Sequence, residues 1–145
     1  MSFQEAVKQT PLLKDHLKQG LQALGSHSKQ VKLNSSRLCE GSVDIDQALE
    51  RLFPQANRWD YALGYDGKTY FIEVHPADTS EVETLLKKYQ WLKKFLREKA
   101  PQLNQEPKEF HWIASGGVHI LPSSRQARKL AESKIKLPTR QLTLS

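Results

Sequence analysis

Asp66-Gly67, set between two runs rich in Tyr, Phe, Ile, Leu and Val, constrains this chain more than any other pair of residues. The dipeptide tolerates the positive φ angles of a type I′ turn, so Trp59 to His75 (WDYALGYDGKTYFIEVH) reads as a tight β-hairpin. With Asp66 and Gly67 as the loop, Tyr65 pairs with Lys68, Ala62 with Phe71 and Asp60 with Glu73. The two acids then share a face with Ala62, Gly64, Thr69, Phe71 and His75. Trp59, Tyr61, Leu63 and Tyr65 take the other face with Tyr70, Ile72 and Val74, an apolar surface suited to packing on helices. Directly opposed carboxylates repel, so this register calls for a cation, a shared proton or a cationic side chain between them.

The rest of the chain gives the hairpin a setting. Its 145 residues, 38% hydrophobic and 26% charged, fit one globular domain over 1–145, with a helical segment at 1–25 and an α/β core at 40–145. No 18-residue apolar span and no signal-like start are present, so neither membrane insertion nor secretion is expected and a cytoplasmic protein is. A single cysteine, Cys39, excludes an internal disulfide and any multi-cysteine zinc motif. The net charge of +6 is unevenly spread: residues 1–83 carry 9 Lys and Arg against 12 Asp and Glu, residues 84–145 carry 13 against 4. Ten of the acids fall between Glu40 and Glu83. An acidic patch beside a basic wall suits a polyanionic partner, and a solvated basic face is the plainer explanation of the same count.

Local patterns supply the neighbouring elements. Ser2-x-x-Glu5 is a capping-box pattern, and Thr10-Pro11 followed by Leu13, Leu17, Leu21 and Leu24 predicts a helix ending at Gly25. Gln30 to Leu33 is a weak strand. Ser42 to Pro54 reads as a short helix with Asp44 and Asp46 in its first turn, where acids suit the dipole. Ser80-x-x-Glu83 opens a long amphipathic helix with Val82, Leu85, Leu86, Tyr89, Leu92 and Leu96 inward. Lys93, Lys94, Arg97 and Lys99 suit its negative end, whereas Lys87 and Lys88 lie near its middle and need another reason. Glu109 to Ser115 alternates as a strand, Gly116-Gly117 allows a bend, Ser123 or Ser124 caps a further helix, and Arg140 to Leu144 is a last strand. The fold class is therefore α/β: a small mixed central sheet with a hairpin at its core, flanked by helices.

Asp60 on one strand followed across a turn by Glu73-Val74-His75 on the next resembles the core of the PD-(D/E)XK nuclease superfamily, over about residues 40–121. The resemblance implies a restriction-endonuclease-like fold in which Asp60, Glu73 and the Val74 carbonyl hold Mg²⁺ or Mn²⁺, with Glu40 or Glu50 as an additional acid. Hard cations of this kind take oxygen ligands, polarise a phosphate and lower the pKa of a bound water. The family's lysine that orients the attacking water is His75 here, which acts as a base when neutral or as a cation when protonated. Either His75 replaces that lysine, or Lys87 or Lys88 from the following helix takes the role, or the fold persists without hydrolysis. The expected function is a metal-dependent nuclease acting on nucleic acid, DNA rather than RNA, with Lys87, Lys88, Lys93 and Lys94 contacting phosphates. A non-catalytic nucleic-acid- or protein-binding module of the same fold is the alternative. The oligomeric state stays open, a homodimer included.

Overall fold

Asp66 and Gly67 take φ angles of 48° and 78°, both left-handed, and their turn sets the register of the strands around it. In chain order the elements of a computed structural model, which describes Met1–Ser145, are α1 (Phe3–Lys8), β1 (Leu17–Lys18), β2 (Val31–Leu33), β3 (Cys39–Asp44), α2 (Ile45–Leu49), β4 (Tyr61–Tyr65), β5 (Lys68–Asp78), α3 (Val82–Lys99), α4 (Pro101–Asn104), β6 (Lys108–His119), α5 (Arg125–Glu132) and β7 (Leu142–Leu144). Tyr65 pairs with Lys68, Ala62 with Phe71 and Tyr61 with Ile72, as the turn requires. A mixed five-stranded sheet runs β1-β3-β4-β5-β6, antiparallel except for the parallel pair β5 and β6. Parallel neighbours need a crossover, and α3 with α4 provides it. β2 and β7 form a separate parallel ribbon.

The α/β class holds, but the two faces of the sheet are covered differently from the sequence reading. Val43, Ala62, Phe71, Trp112 and Ala114 meet Phe3, Val7, Leu85, Leu92, Leu96 and Leu130, so the helices cover the face that carries the acids. The Tyr61, Leu63, Tyr65, Ile72 and Ile113 face, expected to receive helices, is closed by Leu24, Val31, Leu142 and Leu144. Full burial of each large apolar side chain contributes about 1.5–3 kcal/mol, which makes the 25-residue cluster on the helical face the main core. Gly64 docks α1 there: a Cβ on it would lie 2.5 Å from the Phe3 ring. Trp59 belongs to this core too, its ring edge-on to Phe110 at 6.3 Å, rather than to the Tyr61 face. Strand alternation stops at Tyr61, because the Asp60 carbonyl turns away to accept from Ile45 and Asp46 N–H groups (2.8 and 3.3 Å).

Other boundaries also moved. The leucines at helical spacing after Pro11 do not form one face: Leu13 and Leu17 join the helical-side core, Leu21 and Leu24 the opposite one. The segment wraps the sheet edge, where Leu17 and Lys18 pair with Val43 and Ser42, and 3-10 turns replace the expected helix. The stretch before Asp44 is strand β3, which lacked a sequence signal, and α2 is cut to Ile45–Leu49 with Asp44 as its cap through Gln47 N–H. Ser80 does not cap α3. Gly116-Gly117 stays within β6, whose pairing with β5 is irregular between His75 and Ala77. Ser124 caps α5 as expected. No helix is long and apolar enough to cross a membrane.

Candidate active site

The ladder between β4 and β5 ends one residue short of Asp60 and Glu73, and the two acids replace its next rung with side-chain bonds. Asp60 N–H donates to Glu73 Oε1 (3.0 Å), and Val74 N–H donates to Asp60 Oδ2 (3.0 Å). Each carboxylate thus fixes the backbone beside the other. Lys88, on the flank of α3 that faces the sheet, donates to Glu73 Oε2 at 2.7 Å. His75 follows Glu73 on the same face of β5, with Nδ1 3.6 Å from Glu73 Oε2 and Nε2 3.2 Å from Glu81 Oε2. Its carbonyl accepts from Trp112 Nε1–H (3.1 Å), which anchors the strand beneath the ring.

Covering by α3 gives these groups their electrostatics. Glu73 is fully buried, and burial followed by the charge of Asp60 raises its pKa to about 8, against the charge and hydrogen bond of Lys88. Asp60 is likewise raised by burial, with the Val74 N–H and Lys88 opposing. Burial would lower Lys88, but the charge and bond of Glu73 prevail and hold it above the usual lysine value. Below about pH 8 the proton on Glu73 leaves Asp60 and Lys88 in balance; an ionised Glu73 adds one negative charge without a partner, which a cation would relieve.

The donor set fits a hard divalent cation in kind. In an extended strand the N–H and C=O of one residue leave on the same edge, so the Val74 carbonyl emerges on the side where its N–H meets Asp60. Asp60, Glu73 and this carbonyl are all oxygen donors, and Mg²⁺ uses one or two carboxylates and keeps several waters. No group of three or more His, Cys, Asp or Glu side chains is arranged to hold a metal ion. Both oxygens of Glu73 are already hydrogen-bonded, so cation binding there requires the Lys88 ammonium to shift off Oε2.

The remaining sequence candidates disperse. Glu40 sits at the hairpin tip, accepting from Phe3 N–H (3.3 Å) and Gly67 N–H (3.1 Å). Glu50 is exposed on a surface pocket beside His16, Lys18 and Arg51. Neither is bonded to Asp60 or Glu73. Lys87 and Lys94 are exposed, and Lys93 lies 5.3 Å over the Tyr89 ring on the opposite flank of α3 from Lys88, so the four lysines form no single wall. Two residues escaped the sequence reading. Glu81 precedes Lys88 by seven residues, a spacing that puts both on one helix flank and could have exposed it. Asp46 is held by Arg58 (2.8 Å) and its N–H by the Asp60 carbonyl, a contact that no sequence signal announces.

No protein family, curated protein or solved structure matches this chain.

Proposed function

We propose that this domain hydrolyses phosphodiester bonds in nucleic acid, DNA in preference to RNA, as a divergent relative of the PD-(D/E)XK nucleases. Asp60 precedes the second strand of the β3-β4-β5 meander and Glu73 lies on the third, the positions the resemblance calls for. The observation that carries the reading is the 2.7 Å contact of Lys88 with Glu73, which brings an ammonium to the metal-ligand pair although the motif position itself holds His75.

Asp60, Glu73 and the Val74 carbonyl would hold Mg²⁺ or Mn²⁺, which when bound polarises the phosphate and acidifies a water. Lys88 donates to Glu73 Oε2; shifted from that oxygen, its N–H groups would orient a water toward the phosphate and add positive charge where the transition state is negative. His75, held between Glu73 and Glu81, would take the proton that the attacking water gives up as its oxygen bonds to phosphorus, at whichever ring nitrogen is free of one. The test is incubation with single- and double-stranded DNA and RNA in Mg²⁺, Mn²⁺ or EDTA. Cleavage should depend on the cation and fall at least ~100-fold in Asp60→Ala, Glu73→Gln and Lys88→Ala, the order of loss expected for a positioned charge or proton-transfer group. Cleavage that survives both Asp60→Ala and Glu73→Ala sinks the mechanism.

One observation favours a second reading, a binding module without hydrolysis: Glu73 is fully buried with both oxygens satisfied, which suffices for a structural role. That reading expects salt-dependent nucleic-acid binding with no cation-dependent cleavage.

A further inference from the structure

The flank of α3 that carries Lys88 continues outward as an aromatic ledge. Lys88, Trp91, Phe95 and Lys99 recur at i, i+3, i+7 and i+11, so they line one side of the helix, and Trp91 is one turn, about 5 Å, beyond Lys88. The Trp91 and Phe95 rings stack at 5.4 Å, and Phe53 meets Trp91 edge-on at 6.3 Å. Phe53, Trp91 and Phe95, with Lys94, Lys99 and Glu98, line a half-open pocket of about 180 Å³. That room suits one flat ring system rather than a whole nucleotide.

The ledge is tied to the acidic site by more than its helix. Arg58 donates to the Phe53 carbonyl (2.6 Å) and to Asp46 (2.8 Å), and the Asp46 N–H bonds the Asp60 carbonyl. Trp91 is the one tryptophan that is not buried. Two cations face the pocket, Lys94 and Lys99; the single acid on its rim, Glu98, lies 3.9 Å from the Arg97 guanidinium. Aromatic faces flanked by cations suit a base whose backbone is anionic, because every nucleobase has a π-face and stacking needs no particular sequence.

We infer that this pocket receives one unpaired nucleobase of a strand whose phosphate lies beside Lys88, so that the substrate is single-stranded or locally opened nucleic acid. The inference rests on the reading of the domain as one that acts on nucleic acid. A base still paired in a duplex presents only its edge and cannot stack here.

The experiment is titration of the full chain with a short single-stranded oligonucleotide and with a blunt duplex of the same sequence, without metal, following tryptophan fluorescence. Trp59 and Trp112 are buried, so quenching reports Trp91. The single strand should quench and bind at least 10-fold more tightly than the duplex. Trp91→Leu, which keeps an apolar side chain against Phe95 and removes the reporter, is followed instead by the anisotropy of an end-labelled oligonucleotide, and its single-strand affinity should fall about 10-fold or more, the loss expected for one stacked base. Lys94→Ala with Lys99→Ala should weaken it and flatten its salt dependence. Equal binding of duplex and single strand, or affinity unchanged in Trp91→Leu and in the double-lysine variant, overturns the inference. Trp91-dependent binding without cation-dependent cleavage leaves the pocket in place and removes only the hydrolytic reading, whereas cleavage indifferent to Trp91 removes the pocket alone.

Discussion

Strand β5 takes part in two lysine–glutamate pairs of equal length that behave in opposite ways. Lys68 on β5 meets Glu109 on β6 at 2.7 Å, and Glu73 on β5 meets Lys88 on α3 at the same distance. The first pair is partly open to water, at 39% and 31% exposure; in the second Glu73 is fully enclosed. Burial pushes against Glu109 too, but hydrogen bonds from Lys68 and His111 prevail and hold it below the usual carboxyl value. For Glu73 the same kind of bond is outweighed by burial and Asp60. Distance therefore fails to rank ion pairs on this sheet, and what covers them decides. A long helix laid over the acidic face turns an ordinary pair into a strained one.

The contrast is most sharply broken at Lys88. Lys88→Ala removes the cation that opposes the rise of the Glu73 pKa, so Glu73 stays protonated to higher pH and the loss of stability, measured by urea unfolding, should be about 1 kcal/mol larger at pH 9 than at pH 5. At pH 5 Glu73 is protonated and has no charge to compensate; equal losses at the two pH values would refute the account. A second effect concerns the wild type. The folded-state pKa of Glu73 lies above its ordinary 4.5, so the folded protein holds the extra proton, and the Glu73 contribution to stability falls as pH rises from 4.5 through about 8. Glu73→Gln should remove that decline. Glu109 has the opposite sign: its folded value is lowered, so its contribution is present above 4.5 and disappears as pH falls below it. Glu109→Gln should blunt acid destabilisation without touching the range from 5 to 8. The smallest expected change is Lys68→Ala, which should lower stability at neutral pH only slightly and by less than Lys88→Ala does, as expected for a pair open to water; a larger drop would show that exposure is a poor guide to which pair matters.

The hairpin and its acids were legible in the sequence because their information is local: an Asp-Gly turn fixes register, and register fixes which side chains face each other. Glu73 and Asp60 do meet, though through the backbone N–H groups of Asp60 and Val74, since the ladder ends at Tyr61 and Ile72. The rotational phase of α3 on the sheet was not legible, which is why Lys87 and Lys88 ranked equally although only Lys88 turns inward. Strand β3 was missed because its pairing is with β1 and β4, both remote in sequence, while Gly41 and Ser42 weaken any strand pattern. The leucines from 13 to 24 misled for a related reason. Helical spacing records only that apolar residues recur, and here the recurrence serves two cores on opposite faces of the sheet.

The two side-chain rungs beyond the end of the β4-β5 ladder have a consequence for observation. The amide hydrogens of Asp60 and Val74 are guarded by carboxylates rather than by carbonyls, and a carboxylate loosens its hold when it gains a proton or turns toward another positive charge. Exchange of these two hydrogens with solvent deuterium should therefore track the charge state of the acids residue by residue, while the Ile72 amide one step inside the ladder stays indifferent. The backbone carries its own gauge of what the site holds, readable by NMR with no substrate and no turnover.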